Sequence, residues 1–194
     1  MFRRLSALIF GNREQEKTEE PAPVDAATRE ANQTRALLGM LRKGKRRQAE
    51  DAALRLGAAR VRAAIPDLVA ATRRTGGPRC VAARALGMMG DAEAIPALEQ
   101  LLSDSETHEA ACLALLELGW QPSDDQHRMS LALHQGDWDA LRAEGANAVS
   151  VLGIGAIIGD TKRRIQCVEM LSETGTAAAA GIVRGLVDDR SRLG

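Results

Sequence analysis

The sequence predicts an all-α fold, and its composition and pattern support this in three ways. Of the 194 residues, 34 are alanine and 23 are leucine, two residues that favour helices. Only four residues are aromatic and tyrosine is absent, whereas β-sandwiches and barrels are rich in aromatic and β-branched side chains. A helical pattern also recurs about every thirty residues. A hydrophobic fraction of 45% argues against a disordered chain.

The clearest repeat unit covers residues 79–104, RCVAARALGMMGDAEAIPALEQLLSD. Its alanine-rich first helix should end at Gly90, which supplies a left-handed residue, and Asp91 should cap the next turn. Pro96 lies early in the second helix, where its missing N–H costs little. The second helix has an apolar face at spacings of three and four, formed by Ile95, Leu98 and Leu102. One such hairpin cannot bury its own apolar face, so we expect the units to stack.

Related units precede and follow this one. Residues 56–68 repeat its Leu-Gly and Ala-Ile-Pro pattern, and residues 118–119 repeat the Leu-Gly pair. Residues 163–189 look like a degenerate copy, with Gly181 in place of the proline. An insertion at residues 120–147 interrupts the third unit, and we expect it to be helical, with Ser123 as a cap. The sequence therefore predicts a right-handed α-solenoid of about four helical hairpins, with a helical insertion in the third.

Residues 79–104 resemble the HEAT-like repeats of the phycobilisome-lyase type, and the resemblance covers roughly residues 37–189. It implies a HEAT-like repeat domain and a role in protein binding, as an adaptor or scaffold. It also leaves open a bilin-lyase-like or maturation-chaperone subunit.

The first 25 residues are predicted to lie outside the repeat domain of residues 26–194. Residues 1–10 form an amphipathic peptide that can act as a tether to a membrane or complex, and a frayed terminus is the alternative. Its apolar face consists of Phe2, Leu5, Leu8 and Ile9. Residues 11–25 have the composition of a flexible, charged linker with two prolines. No apolar run approaches the length of a membrane span.

The residue types that often carry chemistry are scattered. Three widely spaced cysteines indicate a reducing cytoplasm, in which each is a small buried hydrophobe: Cys80, Cys112 and Cys167. His108 is expected to be solvated. His127 and His134 lie seven residues apart, about 10 Å along a helix, too far to share a zinc ion without a third element. We expect no catalytic, metal or cofactor site.

The insertion holds the only aromatic residues beyond residue 10. Trp120 and Trp138 are expected to be core anchors there, with an exposed role in partner binding as the alternative. The glycine-rich segment at residues 153–159 lacks the spacing of a nucleotide-binding loop and is expected to be a closely packed helix.

The zero net charge hides two opposite blocks. Residues 41–80 hold 11 basic and 3 acidic residues, whereas residues 81–145 hold 3 basic and 12 acidic residues. The basic block includes a patch of Arg42, Lys43, Lys45, Arg46 and Arg47. This polarity can steer a protein partner, hold anionic lipid or nucleic acid, or be a solvated surface. Nucleic-acid binding is the least favoured of these interpretations, because the acidic block repels nucleic acid and no aromatic residues offer stacking.

We predict a non-catalytic adaptor that binds a protein partner through a concave face and an apolar C-terminal end. The concave face is predicted to contain Asp67, Arg74, Glu93, Ala97, Gln100 and Asp104. The C-terminal contact, which also admits a homodimer, is predicted to contain Ala178, Ile182 and Gly185. The location would be cytoplasmic, with contact to the inner face of a membrane as an alternative.

Overall fold

The computed structural model describes residues 25–75 and 77–192, with side chains up to Asp188. These residues form helices and short 3-10 turns without a strand, as the composition predicts. The helices are α1 (Ala26–Lys43), α2 (Arg46–Ala58), α3 (Ile65–Thr72), α4 (Arg79–Met89), α5 (Ile95–Leu101), α6 (His108–Glu117), α7 (Asp125–Gln135), α8 (Trp138–Glu144), α9 (Val149–Gly155), α10 (Thr161–Glu173) and α11 (Ala177–Arg192).

The chain divides into two compact units, one that ends at Gln33 and one that begins at Thr34. The described part of the first unit is the start of α1, where the backbone N–H of Thr28 donates to the Asp25 carboxylate at 2.6 Å. The amphipathic tether and all of the linker before Asp25 lie outside the described residues. None of the described helices is long and apolar enough to cross a membrane.

The turn chemistry of the clearest repeat is confirmed. Gly90 ends α4 in the left-handed region with φ of 70°, and the Asp91 carboxylate accepts a hydrogen bond from the backbone N–H of Glu93. A 3-10 turn over Ala92–Ala94 then leads into α5, where Pro96 lies in the first turn. The preceding unit makes the same turn with Arg60, which has φ of 50° without being a glycine.

Successive units pack through their first helices. Helix α2 packs on α4, and α4 packs on α6. The approach is close enough to require glycine, because a Cβ at Gly57 would lie 2.8 Å from the Ala85 Cα and one at Gly87 would lie 2.7 Å from the Ala114 Cα. The repeated Leu-Gly pair therefore marks the point where neighbouring units touch.

Buried residues of the second compact unit, which begins at Thr34, form two hydrophobic clusters. The first runs from Leu37 to Trp120 and is built mainly from alanine and leucine. The second runs from Met129 to Ala179 and joins α7 to α11. Trp120 is buried in the first cluster and Trp138 packs, half-buried, against the second, so the prediction that both anchor the core is confirmed.

Three local predictions need correction. Asp124, rather than Ser123, caps α7, because its carboxylate accepts from the backbone N–H of His127 at 2.8 Å. The glycine-rich segment of residues 153–159, expected to be a closely packed helix, is helical only up to Gly155, the last residue of α9. His108 is buried, not solvated, with a relative exposure of 1%. It begins α6 on the inner side, where its ring can bond to the Leu102 carbonyl.

Candidate protein-interaction surfaces

The residues predicted to line the concave face are largely engaged within the chain. Asp67 accepts two hydrogen bonds from Arg42, at 2.6 and 2.8 Å. Arg74 donates to the Leu41 carbonyl at 2.7 Å. Ala97 is half-buried on α5. The polar atoms of this set therefore serve the packing of one unit on the next, before any partner is considered.

The remaining members of the set make the same kind of contact. Gln100 accepts from Arg73 at 3.2 Å. Glu93 lies 3.6 Å from Arg62 and stays largely exposed in the turn before α5. Asp104 lies beyond the end of α5 and accepts from Arg79 at 2.5 Å.

These bonds form a ladder that crosses from each unit to the next, made of Arg42–Asp67, Arg62–Asp91 and Arg79–Asp104. Arg79 is the least exposed arginine of the ladder. Its side chain is 18% exposed, and it also donates to Glu106 at 2.8 Å and to the Thr72 carbonyl at 3.0 Å. The bond from Arg79 holds the pKa of Asp104 below its usual value.

The ladder gives the segregated charges a structural role. Arg62 and Arg79 belong to the basic block, and their partners belong to the acidic block, so the two blocks neutralise each other in part where adjacent units meet. Some of the charges that make up the predicted polarity are therefore already paired between packed repeat units. Sequence alone did not reveal this, because the pairs are 25 to 31 residues apart and depend on how the units register.

The basic patch divides into two classes. Arg42 is paired with Asp67, and Arg46 is paired with Glu50 at 2.9 Å. Lys43, Lys45 and Arg47 are exposed, and no carboxylate among the described residues lies within ion-pair distance of them. Three of the five predicted positive charges are therefore available to an outside anion.

An exposed apolar stripe runs along α6. Leu113 and Leu116 are 44% and 40% exposed, and Glu109 and Glu117 stand at either end. The four residues occupy positions i, i+4, i+7 and i+8, which share one helix face. Within the described chain, neither glutamate has an ion-pair partner. This stripe was not among the predicted surfaces, although its spacing is visible in the sequence.

A groove of about 380 Å³ lies between this face and α4, and we call it the α4–α6 groove. Its α6 wall carries Glu109, Leu113 and Glu117, and its α4 wall carries Cys80 and Arg84. The Cys80 thiol donates to the Glu106 carbonyl at 3.0 Å. The groove thus has an apolar floor, two free carboxylates on one wall and a guanidinium on the other.

A second groove, of about 260 Å³, lies between α10 and α11, and we call it the α10–α11 groove. Its lining is mainly aliphatic and includes Ile165 and Val187, which are 53% and 63% exposed. Ile157, on the turn after α9, is 54% exposed.

The predicted C-terminal contact residues lie on α11, but they do not line this groove. Ile182 is half-buried and faces Gly153 of α9, where an added Cβ would lie 3.0 Å from its Cδ1 atom. Ala178 and Gly185 are exposed. The apolar surface at this end is therefore centred on Ile165 and Val187 rather than on Ile182.

A buried pair of potentially reactive groups lies between α6 and its neighbours. The His108 Nδ1 atom lies 2.7 Å from the Leu102 carbonyl oxygen, and the Cys112 Sγ atom lies 3.7 Å from the His108 Nε2 atom. Burial lowers the pKa of His108 and raises the pKa of the Cys112 thiol to about 12. At neutral pH the thiol is protonated and the imidazole is neutral, so this pair does not form an activated nucleophile.

A polar seam joins α5 to α7. The Trp120 Nε1–H group donates to Glu99 at 2.8 Å, and the indole meets the His127 ring edge-on with centroids 5.7 Å apart. The His127 Nδ1 atom lies 3.0 Å from an Asp124 oxygen. In the described part of the chain, no group of three or more His, Cys, Asp and Glu side chains is placed to hold a metal ion.

A comparison with protein-family models finds a match to the repeat unit that contains the Arg79–Asp104 pair and the α4 wall of the groove. Residues 78–104 match the family model of the PBS lyase HEAT-like repeat. The match begins at Pro78, the residue before α4, and ends at Asp104, the ladder residue bound by Arg79. A search of curated proteins finds no significant match. The repeat identifies a helical-repeat architecture, and the choice of partner depends on the surfaces described above.

Proposed function

We propose that the chain is a non-catalytic adaptor that binds another protein through the α4–α6 groove. The observation that carries this proposal is the α6 stripe, in which two exposed leucines lie between two carboxylates without an ion-pair partner. Exposed apolar side chains surrounded by charged residues are typical of surfaces that bind a partner helix. The predicted concave face is a weaker choice, because most of its polar groups bind within the chain.

The chemistry of the groove defines the partner. An amphipathic helix would place apolar residues against Leu113 and Leu116. Lysine or arginine residues about two turns apart would then reach Glu109 and Glu117, since these are eight positions apart on α6. Arg84 on the opposite wall favours an acidic or neutral residue on the side of the partner helix that faces α4.

The proposal is tested with a designed panel of helical peptides. The test peptide carries a Leu pair between two lysines eight positions apart, and the control peptide has the lysines replaced by glutamates. Fluorescence anisotropy at low salt should show at least tenfold tighter binding of the basic peptide. Equal affinities would overturn the proposed charge recognition.

Variants locate the binding surface. Leu113→Asp combined with Leu116→Asp should abolish binding of the basic peptide, while Glu109→Gln with Glu117→Gln should weaken it and reduce its salt dependence. Ile165→Asp is the control, because it places a negative charge on a different exposed apolar surface. If Ile165→Asp abolishes binding and the α6 variant does not, the α4–α6 groove is not the site.

The N-terminal peptide of residues 1–10 keeps its proposed role as a tether. Affinity purification of the adaptor's partner with and without residues 1–25 separates this role from binding at the groove. Removal of residues 1–25 should leave peptide affinity unchanged and reduce recovery from a membrane fraction.

A second candidate function rests on the unpaired part of the basic patch, Lys43, Lys45 and Arg47, which would hold an anionic lipid surface. Binding to vesicles containing phosphatidylserine should fall steeply with salt. The affinity for these vesicles should be reduced more by the triple glutamine variant at these positions than by Arg46→Gln, because the charge of Arg46 is already paired with Glu50.

A further inference from the structure

The exposed face of α10 has a charge pattern that is complementary to itself. Lys162, Ile165 and Glu169 occupy positions i, i+3 and i+7, so they form one stripe along the helix, with Ile165 near its middle. All three are exposed. Among the described residues, neither Lys162 nor Glu169 has an ion-pair partner.

A two-fold axis would convert this pattern into a set of matched contacts. When two copies of one helix pack antiparallel, each residue near one end faces a residue near the other end of its partner. An axis midway between Ile165 and Gln166 places Lys162 opposite Glu169 of the second copy, and Glu169 opposite its Lys162. The two Ile165 side chains then meet beside the axis. An isologous contact of this kind uses one patch twice.

The α10–α11 groove supplies the apolar part of the contact. It is open beside Ile165, and α11 contributes Val187, which is 63% exposed. Isolated exposed aliphatic side chains are common, whereas Ile165 and Val187 line one groove together and Ile157 is exposed on the turn before α10.

We infer that the α10–α11 groove binds a second copy of this chain, with α10 antiparallel to α10 and Lys162 paired with Glu169 across the axis. This contact is independent of the partner helix proposed for the α4–α6 groove, because it uses a different pair of helices. Together the two surfaces would make a dimeric adaptor that presents two partner-binding grooves.

The first experiment measures mass against concentration for the full-length protein by sedimentation equilibrium. The apparent mass should rise from 20.7 kDa towards twice that value as the concentration increases from about 1 µM to several hundred µM. A chain that stays monomeric over this range overturns the inference. Larger assemblies that do not stop at two copies also overturn it, because an isologous contact closes on itself.

Charge reversal tests the antiparallel register. Lys162→Glu and Glu169→Lys should each weaken the dimer about tenfold, because each variant places like charges opposite each other twice. The double variant restores opposite charges at both positions and should recover to within about threefold of the original affinity. A double variant as weak as the single variants would show that Lys162 does not face Glu169.

Ile165→Asp tests the apolar contact and should abolish the dimer, whereas Leu113→Asp should leave it intact. Circular dichroism and thermal melting establish that each variant is folded. Loss of the dimer with Leu113→Asp but not with Ile165→Asp would assign self-association to α6 and overturn the inference. The peptide assay at the α4–α6 groove is read separately, so either proposal can fail without the other.

Discussion

The two hydrophobic clusters of the second compact unit are stabilised in different ways. In the first, from Leu37 to Trp120, glycines bring helix backbones into contact and arginines bond from one unit to the next. In the second cluster, from Met129 to Ala179, helices α8 and α9 are short, with seven residues each. There, the inter-helix ion pair of Arg142 with Glu173 spans 3.4 Å between half-exposed side chains.

This difference shows what a regular repeat contributes. Where the unit recurs without interruption, the same contact can be made twice, as the Gly57 and Gly87 approaches show. The insertion changes the register, so α7, α8 and α9 rely on side-chain packing. The first cluster should therefore be sensitive to changes at its backbone contacts, and the second should adjust more easily.

The largest expected effect is that of a methyl group at the contact between α4 and α6. Gly87→Ala would place a Cβ 2.7 Å from the Ala114 Cα, a backbone atom that cannot move alone. We expect it to lower the free energy of unfolding by about 2 kcal/mol, even after the gain in helix propensity. Denaturant titration monitored by circular dichroism measures the change.

Gly155→Ala is the corresponding change in the second cluster. Its Cβ would meet the Cys167 Sγ atom at 2.5 Å and a Leu133 methyl at 2.7 Å, and both are ends of side chains that can rotate. We expect a smaller loss, about 1 kcal/mol or less. Gly181→Ala, with nothing within 4 Å, should be neutral or stabilising. A loss for Gly155→Ala larger than that for Gly87→Ala would contradict the comparison.

The second prediction concerns the ladder. Arg79→Gln removes bonds to Asp104, to Glu106 and to the Thr72 carbonyl from a side chain that is only 18% exposed. We expect a loss of about 1–2 kcal/mol in the free energy of unfolding. Arg142→Gln, the control in the second cluster, removes a half-exposed pair and should cost about 0.5 kcal/mol or less.

The pH dependence of the Arg79 effect follows from Asp104. The pKa of Asp104 is lowered in the folded state, first by the bond from Arg79. Its contribution to stability is therefore present above the ordinary value of 3.8 and is lost as the pH falls through the folded-state value. The difference in the free energy of unfolding between the original chain and Arg79→Gln should become smaller below pH 3.8. A constant difference would show that Asp104 does not contribute through its charge.

The sequence predicted the local features of the fold better than the long-range ones. Gly90, Asp91 and Pro96 fulfil roles that depend only on backbone conformation and a nearby hydrogen bond. Arg60 could not be recognised in this way, because a residue that does not favour the left-handed conformation adopts it at the end of α2, where local backbone hydrogen bonds close the turn. His108 was wrongly expected to be solvated because its burial depends on the Leu102 carbonyl and on α7 packing against α6.

The candidate surfaces show the same limit. The positions of the basic patch on the sequence were evident, but the pairing of Arg42 with a residue 25 positions later was not. Likewise, the exposed stripe of α6 has a mixed pattern, with apolar residues on its buried and exposed faces. Which face packs inward depends on where α4 lies.

The third prediction concerns the buried histidine. Burial lowers the pKa of His108 in the folded state, and the neighbouring groups that affect it include His134, Arg163 and Glu109. Because the unfolded chain binds a proton near pH 6.5 and the folded chain does not, stability is fully present above that pH and falls below it. The free energy of unfolding should therefore decrease as the pH falls from 7 to 5.5. His108→Gln should flatten this part of the stability–pH curve, and an unchanged slope would show that another group causes it.

The smallest effect is on chemical reactivity rather than stability, and it compares the two clusters directly. Cys112 lies in the first cluster and Cys167 in the second, and burial raises their thiol pKa values to about 12 and about 11. Half-buried Cys80 should therefore react first with iodoacetamide at pH 8, as followed by mass spectrometry.

The order of the two buried thiols tests whether the clusters open differently. Reaction of a buried thiol requires local opening, so its rate follows the free energy of that opening. If the second cluster is the more adaptable, Cys167 should react sooner than Cys112, and Gly155→Ala should change only the Cys167 rate. Equal rates for Cys112 and Cys167 would instead show that the two clusters open together.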